Sequence, residues 1–129
     1  MTTINVVIDE FEDLITKNDF VIIDFWAPWC GPCKSFAPIY EELSEKYPDL
    51  VFAKVNTEEQ QELAGSFNIR SIPTLMIMRE QVILFSEAGA LQASQLEEVI
   101  VQAQSLDMDQ VRKEVAEQHA EQQQEKEAQ

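Results

Sequence analysis

Two nearly continuous apolar segments, residues 21–27 (VIIDFWA) and 50–56 (LVFAKVN), dominate the hydrophobic pattern of the chain. A single charged residue interrupts each of them, Asp24 in the first and Lys54 in the second. Runs of this kind are typical of strands that are buried on both faces of a sheet. The segment between them, residues 32–47, places its apolar side chains at helical spacing. The order strand, helix, strand predicts two parallel strands joined by a right-handed crossover.

The pattern predicts further strands on both sides of this unit. We expect a first strand near residues 5–8 (NVVI) and a helix near residues 10–17. Residues 74–78 and 82–88 both have the composition of strands, and the gap between them is too short for anything but a hairpin. Its turn lacks the Gly or Asn that a tight turn prefers, so the sequence does not define the register of the two strands.

Two more helices are predicted in the second half of the chain. A short helix is expected to start at Thr57 and to end at Gly65, because Gly can adopt the left-handed conformation found at helix ends. Residues 94–104 form an amphipathic pattern. The predicted buried face of this helix consists of Leu96, Val99, Ile100 and Ala103.

The composition changes after residue 105, so we expect a domain at residues 1–105 and an acidic, Gln-rich helical tail at residues 106–129. The tail holds seven acidic and three basic side chains, and Val115 is its last apolar residue larger than Ala. Asp107, followed three positions later by a Gln, has the pattern of a helix N-cap with a capping box.

Met108, Val111 and Val115 share one face of the predicted tail helix. This apolar stripe is only two turns long. We therefore expect residues 107–116 to be helical and docked, on their own domain or on a second subunit, and the remainder to be helical only intermittently.

The chain contains two cysteines, Cys30 and Cys33, with Gly31 and Pro32 between them. A chain of 129 residues that is 45% hydrophobic can bury a core without cross-links. A disulfide that closes so short a loop constrains the unfolded chain very little. A purely structural disulfide is therefore a poor explanation for the pair.

The position of the two cysteines favours redox chemistry. Cys30 lies where a strand gives way to a helix, Gly31 permits the turn, and Pro32 suits the first helical position. A sulfur there faces unpaired backbone N–H groups and the positive end of the helix dipole, which favour the thiolate. Cys33 lies one turn further on, close enough to form a disulfide and shielded from solvent. This asymmetry assigns attack on a substrate disulfide to Cys30 and resolution of the mixed disulfide to Cys33.

A metal site is the alternative for a pair of thiols. A closed zinc site needs four nitrogen or sulfur ligands. The chain supplies two Cys and one His, and that residue, His119, lies in the polar tail. A metal site would therefore require ligands from a second subunit.

The charge balance excludes two classes of partner. With 24 acidic and 9 basic side chains, the chain has no electrostatic attraction to nucleic acid or to anionic lipid. No segment approaches the ~18 apolar residues of a membrane span, and the first eleven residues lack a basic leader. We therefore expect a soluble, cytoplasmic protein, in which a close pair of thiols is more often catalytic or metal-binding than structural.

Five segments of the sequence identify a family when they are taken together. They are DFWAPWCGPCK, APIYEEL, FAKVNTEE, FNIRSIPTLMI and EAGAL, in that order. Over about residues 3–105 they resemble the thioredoxin family. The resemblance implies an α/β fold with a five-stranded mixed sheet flanked by four helices, to which the tail adds a helical extension. It also implies reduction of protein disulfides without a bound cofactor, with electrons supplied by thioredoxin reductase, an NADPH-dependent flavoprotein.

Several residues acquire roles only through this resemblance. Pro73 occupies the place of the family's cis proline, which faces the active-site disulfide. Ile72 would offer its backbone N–H and C=O to an extended substrate segment, and Gly89 would allow that segment to approach closely. The implied substrate-binding residues are Trp29, Gly31, Pro32, Ile72 and Gly89. Without the resemblance, Pro73 is explained as a trans proline that opens a strand, because an X-Pro bond is cis in only about 5–6% of cases, and Gly89 as a strand-end glycine.

Asp24 has two compatible interpretations. An ionisable group within a buried strand is costly and needs a compensating interaction or a function. It can pair with Lys54 across adjacent strands. The resemblance instead places the matching carboxyl behind the sulfur of Cys33, where it moves a proton. The resemblance also implies that Trp29 is exposed and that Trp26 packs inside.

The leading hypothesis is a protein-disulfide reductase that maintains cytoplasmic redox homeostasis. We expect a monomer, with a tail-mediated dimer as the alternative. A thioredoxin-domain binding module or co-chaperone that contacts a partner through its tail is the competing function, and a disulfide oxidant or isomerase is a third.

Overall fold

The computed structural model describes the backbone of residues 3–128 and the side chains of residues 3–121. Within this range the chain forms five strands and five helices. In chain order the elements are β1 (Thr3–Asn5), α1 (Ile8–Lys17), β2 (Phe20–Trp26), α2 (Gly31–Lys46), β3 (Val51–Asn56), α3 (Gln61–Ser66), β4 (Thr74–Arg79), β5 (Val82–Ala88), α4 (Ala93–Ser105) and α5 (Met108–Ala128).

The five strands form one mixed sheet in the order β1-β3-β2-β4-β5. Strand β3 pairs in parallel with both β1 and β2, while β4 is antiparallel to β2 and to β5. The predicted crossover between two parallel strands, and the predicted mixed sheet with its helices, are therefore confirmed. Strand β2 is central, which explains why its sequence is apolar on both faces.

Hydrophobic clusters cover both faces of the sheet. Val21, Ile23 and Phe25 of β2 pack on one side in a cluster that includes Phe11 of α1 and Leu63 of α3. The other cluster combines the alternate residue Ile22 with buried side chains of α2 and α4. The main members contributed by those two helices are Phe36, Tyr40, Leu43, Leu96, Ile100 and Ala103. Of the predicted inward residues of α4, Val99 is only partly buried.

The first strand lies earlier than the sequence predicts. The expected strand at residues 5–8 is wrong in position, since β1 ends at Asn5 and α1 begins at Ile8. The backbone N–H of Ile8 donates to the side-chain oxygen of Gln60 at 2.9 Å. This bond satisfies one of the free N–H groups at the helix start, so the apolar residues 6–8 lead into the helix instead of extending the strand.

Helix α3 is shorter than predicted and ends differently. Thr57 lies outside it, because the side-chain oxygen of Asn56 accepts the backbone N–H two residues ahead at 3.0 Å and holds a turn. The left-handed residue after the helix is Asn68, with φ 56°, and Gly65 remains helical. Asn tolerates this conformation better than most residues.

The hairpin between β4 and β5 is confirmed, and its turn is unusual. Glu80 and Gln81 form the two-residue connection, with φ 52° and 65°. Tight hairpin turns need positive φ at both positions, which Asn and Gly adopt most easily. The Glu80 N–H also donates to the backbone oxygen of Asp19 at 2.6 Å, so a tertiary contact supports the turn.

Within the tail, residues 108–128 form one continuous helix. The predicted N-cap is confirmed, since a side-chain oxygen of Asp107 accepts the backbone N–H of Asp109 at 3.0 Å. The same oxygen accepts the backbone N–H of Gln110 at 3.4 Å, which is one half of the predicted capping box, while the side-chain amide of Gln110 donates to Glu114. The expectation of intermittent helix beyond residue 116 is wrong for this structure, in which α5 continues to Ala128.

Helix α5 docks next to the β4–β5 turn. Met108 is buried, and Val111 and Val115 are half-buried. The Arg112 guanidinium pairs with Glu80 at 2.6 Å and also with Asp109. Strand β4 begins beside Pro73 and ends at this turn, so the tail helix starts at the end of the sheet opposite that proline. No helix within residues 3–128 is long and apolar enough to cross a membrane.

Candidate active site

The cysteine pair lies at the junction of β2 and α2. Cys30 is the N-cap residue of α2, and its Sγ accepts the backbone N–H of Cys33 at 3.2 Å. The two residues form a disulfide with a Cα–Cα distance of 5.2 Å, so the site is in its oxidised state. In the reduced protein the same N–H group, at a helix start, would stabilise a Cys30 thiolate.

Burial alone does not distinguish the two cysteines. Cys30 is 5% exposed and Cys33 3%, because both pack against Ala27, Trp26 and Ile72. The expected shielding of Cys33 is therefore present, but it is shared by Cys30 in the oxidised state. Their difference lies in the position relative to the helix N-terminus.

Gly31 and Pro32 are the first two residues of α2, and both are exposed. They leave an open surface beside the disulfide. Gly31 does not adopt a left-handed conformation, so the turn itself does not require glycine. This corrects the expectation that Gly31 permits the turn through its backbone freedom.

The loop before β4 faces the disulfide. The Ile72–Pro73 bond is cis, as the family resemblance implies. The carbonyl oxygen of Ile72 lies 3.7 Å from the Sγ of Cys30. Gly89 donates its N–H to the Pro73 oxygen at 2.8 Å and has φ 115°, a conformation that favours glycine. The structure thus brings Ile72, Pro73 and Gly89 together, with Ile72 next to the Sγ of Cys30.

Trp29 is the most exposed large hydrophobic residue beside the disulfide, with 65% of its surface accessible. Its indole N–H donates to the carboxylate of Glu58. Sequence reasoning missed Glu58, which reaches Trp29 only because the turn at Asn56 projects it from the end of β3. The NTEE sequence signals such a turn, but not the contact.

Asp24 is the buried acid of the site, with 1% of its surface exposed. Burial raises its pKa from 3.8 to about 7, and the positive charge of Lys54 opposes this shift. Its Oδ1 has no hydrogen-bond partner among the described residues. A cavity of about 70 Å³ is lined by both Asp24 and Cys33. The cavity therefore joins the carboxyl to the space beside the Cys33 sulfur.

Lys54 lies opposite Asp24 in the strand register, which confirms the predicted alignment across adjacent strands. Its ammonium group lies over the ring of Trp26, 4.7 Å from the centroid. No ion pair within 4.0 Å joins Asp24 and Lys54 among residues 3–121. Asp24 and Lys54 therefore attract each other as charges, but they do not form the expected ion pair. Trp26 is partly buried, and its Nε1 has no partner in the described part of the chain.

Tyr40 is a second buried acid that the sequence did not single out. Its hydroxyl lies 2.9 Å from the backbone oxygen of Ile22 and 2.6 Å from that of Ala53. Burial, followed by the charge of Asp24, raises the pKa of Tyr40 well above 10.0. Tyr40 therefore stays protonated, and Asp24 is the group beside Cys33 that can change its charge near neutral pH.

Metal chemistry finds no support in the described residues. No group of three or more His, Cys, Asp or Glu side chains among them could hold an ion. His119 lies exposed on α5, away from the cysteine pair in sequence and on a different element.

Comparison with known proteins gives consistent matches. The family model described as Thioredoxin matches residues 2–102. A protein of Streptomyces coelicolor described as putative thioredoxin 2 is 58% identical over 119 residues, covering 92% of this chain and 89% of that protein. Thioredoxin of Haemophilus influenzae is 38% identical over 95 residues, covering 72% and 89%. The match to the Streptomyces protein covers 119 of the 129 residues and therefore extends past residue 105, into the tail.

Solved structures share the fold. A mutant thioredoxin from Halobacterium salinarum superposes with a TM-score of 0.75 at 31% identity, covering 81% of this chain and 93% of that one. Thioredoxin f from spinach chloroplast gives a TM-score of 0.74 at 34% identity, covering 81% and 95%.

Proposed function

The chain belongs to the thioredoxin family and is a thiol–disulfide oxidoreductase, and on that premise we propose that it reduces disulfides of cytoplasmic proteins and maintains redox homeostasis there. Proteins of this family use a redox-active disulfide and no bound cofactor, so the electrons reside on Cys30 and Cys33. Disulfide-containing proteins are its substrates, and a reductase returns the electrons. We propose that this reductase is an NADPH-dependent flavoprotein.

The observation that carries the proposal is the placement of the Cys30 sulfur. It accepts the N–H of Cys33 at the start of α2 and lies next to the backbone of Ile72. A thiolate there is stabilised, and it faces the surface on which a substrate can dock. We propose that Cys30 attacks one sulfur of the substrate disulfide, which forms a mixed disulfide and releases the other sulfur as a thiolate.

Resolution of the mixed disulfide requires a thiolate at Cys33. Asp24 shares a cavity with this residue, and its pKa of about 7 suits a group that accepts and releases a proton near neutral pH. We propose that Asp24 accepts the Cys33 proton. Cys33 then attacks the Sγ of Cys30, the disulfide reforms, and the second substrate sulfur leaves as a thiolate.

The proposed substrate groove lies between Trp29 and the loop before β4. Ile72 is available to pair its backbone with an extended substrate segment, in the manner of strand addition. Pro73 holds that loop beside Cys30, and Gly89 keeps the adjacent surface free of a side chain. Gly31 and Pro32 contribute the exposed surface on the α2 side.

We also propose that residues 1–105 are the catalytic domain and that residues 106–129 are an accessory helical tail. The contacts of Met108 and Arg112 with their own domain support a monomer. Because these contacts lie at the end of the sheet opposite Pro73, we propose that the tail is not required for the redox reaction.

Coupled reduction of insulin tests the function. The protein, NADPH and thioredoxin reductase should reduce insulin at a rate that depends on both cysteines, and the redox potential against glutathione should be that of a reductant. A folded protein that does not reduce insulin would favour the binding-module alternative. A potential as oxidising as that of a disulfide donor would instead indicate an oxidant or isomerase.

A further inference from the structure

A row of polar residues connects the edge of the sheet with the buried carboxyl. Asn5 on β1 is the register partner of Lys54 on β3, and Lys54 is the partner of Asp24 on β2. Register partners project to the same face of a sheet, so the three side chains share one face. On the other side of Asp24 the row continues with Leu75, which is buried and apolar. Polar access to Asp24 therefore runs toward β1 and not toward β4.

Two cavities follow this row. The inner one, about 70 Å³, is lined by Cys33, Asp24, Trp26 and Lys54 among others. The outer one, about 250 Å³, also includes Trp26 and Lys54 and has Asn5, Val7, Glu59 and Gln60 in its wall. A water molecule occupies about 30 Å³ of liquid, so each cavity can hold at least one.

Two buried polar atoms are associated with these cavities. Asp24 Oδ1, an acceptor, and Trp26 Nε1, a donor, have no hydrogen-bond partner among the described residues. A buried polar atom without a partner costs about 1–3 kcal/mol, and ordered water is the usual remedy. An acceptor and a donor in adjoining cavities provide the polar partners that such water needs.

From this arrangement we infer that the outer cavity is the proton port of Asp24, and that Trp26 and Lys54 are its positioning residues. The inference rests on the proposed role of Asp24. During each turnover Asp24 takes one proton from the Cys33 thiol and must release it before the next cycle. Water held between Asp24 and Trp26 passes that proton to the outer cavity and from there to solvent beside β1, with no change in the electrons on the two sulfurs.

The location of the port allows it to work while a substrate is bound. Ile72, Pro73 and Gly89 precede or follow β4 and β5, on one side of the central strand β2. The port lies on the other side of β2, between β3 and β1. A substrate that covers Cys30 would therefore leave the proton exit open. Near neutral pH a share of the Asp24 carboxyls still hold a proton, which must leave through the port before they can accept the Cys33 proton and the mixed disulfide can be resolved.

Exit past α2 is the competing route, because the exposed Lys34 also lines the inner cavity. Val7→Trp separates the two routes. Val7 is 41% exposed at the wall of the outer cavity, and a larger side chain there would obstruct its mouth. Ile4→Trp is the matched control, since Ile4 is 44% exposed and lines a different cavity, which includes neither Trp26 nor Lys54.

The first measurement is the solvent exchange rate of the Trp26 indole N–H, followed by NMR in the full-length protein. Exchange of a buried hydrogen follows the fraction of time in which water reaches it, so Val7→Trp should slow exchange by about tenfold and Ile4→Trp should leave it unchanged. Unchanged exchange in Val7→Trp would overturn the port. Should that variant fail to fold, Asn5→Phe places a bulky residue in the same wall.

The second measurement is the single-turnover rate of mixed-disulfide resolution. Val7→Trp should slow this step, while the initial attack by Cys30, measured with the additional change Cys33→Ser, should keep its rate. Slow indole exchange together with normal resolution would also overturn the port as a proton route. If Asp24→Asn resolves mixed disulfides normally, the proposed role of Asp24 fails, whatever the result of the exchange measurement.

Discussion

Asp24 and Lys54 are register partners on adjacent parallel strands, yet the Lys54 ammonium lies over the Trp26 ring and forms no ion pair with the carboxylate within the described chain. The attraction between the two residues lowers the pKa of Asp24, but burial raises it by more. The balance leaves Asp24 able to change its charge near neutral pH.

Asp24→Asn should stabilise the protein at pH 8. Well below pH 3.8 the carboxyl is neutral in both the folded and the unfolded state, so it does not change the free energy of unfolding. As the pH rises toward about 7 the unfolded state ionises first, the free energy of unfolding falls, and the penalty is constant above that value. The difference between a pKa of 3.8 in the unfolded state and about 7 in the folded state corresponds to a loss of at most roughly 4 kcal/mol of stability.

Denaturant unfolding at pH 8 and pH 4 measures this effect. The gain should be large at pH 8 and small at pH 4, and resolution of mixed disulfides should be slower in the variant. Asp49→Asn, at an exposed position, should change little at either pH. Equal or lower stability of Asp24→Asn at pH 8 would indicate that attraction to Lys54 outweighs burial.

Cys30→Ser should abolish disulfide reduction, because the sulfur at the start of α2 is the attacking group. Cys33→Ser should still attack and then remain as a stable mixed disulfide, since no second sulfur is present to resolve it. Insulin turnover and mass spectrometry of the trapped species distinguish the two variants. Normal turnover by Cys33→Ser, or faster alkylation of Cys33 than of Cys30 in the reduced wild type, would reverse the assignment.

Gln81→Gly should stabilise the hairpin. Gln81 has φ 65°, a conformation that costs an ordinary residue roughly 1–2 kcal/mol and glycine very little. The change preserves the pairing of Glu80 with Arg112 and should raise the free energy of unfolding by about 0.5–1 kcal/mol, the remainder being lost to the flexibility of the unfolded chain.

Gln102→Gly is the control for this substitution. Gln102 is exposed within α4, where glycine should lower stability by about 1 kcal/mol. Two changes from Gln to Gly are thus expected to have opposite signs. A loss of stability in Gln81→Gly would mean that the Gln81 side chain contributes a contact that outweighs the backbone cost.

Truncation after Ser105 should lower the melting temperature modestly and leave insulin reduction nearly intact. The deletion removes the buried Met108, worth roughly 1.5–3 kcal/mol before ordering costs. It also removes the partly exposed pair between Arg112 and Glu80, worth roughly 0.2–1 kcal/mol. Arg112→Gln removes only this ion pair, so it should lower stability by no more than that smaller amount.

Thermal unfolding and the coupled insulin assay test the truncated protein. A variant that stays folded but loses most of its reductase activity would place the tail in substrate binding. Residues 106–129 would then belong to the catalytic unit, and the proposed division of the chain would fail.

The sequence predicted the features that depend on local pattern. The buried strands, the long helix α2 and the cysteine pair at its start follow from apolar periodicity and helix-end chemistry. The turn at Glu80 and Gln81 gave no signal, because its positive φ values are imposed by strand pairing and by the bond to Asp19.

Long-range contacts were harder to anticipate. The bond from Trp29 to Glu58 joins two loops that only the folded sheet brings together. The cis bond before Pro73 could be expected only through the family resemblance, since an X-Pro bond is cis in about 5–6% of cases in folded proteins. The docking of Arg112 on Glu80 depends on the direction in which α5 leaves α4.

That direction is fixed by Arg79, whose guanidinium donates to the backbone oxygens of Ala103, Gln104 and Leu106 at 3.0–3.1 Å. These carbonyls belong to the end of α4 and to the link that precedes α5. A protein or probe joined at the end of α5 would therefore be attached through a stiff helix, whose length is about 1.5 Å per residue, and not through a flexible linker. The arm would give its cargo a defined distance from the dithiol, which makes this end of the molecule suitable for attaching a spectroscopic reporter or a surface anchor.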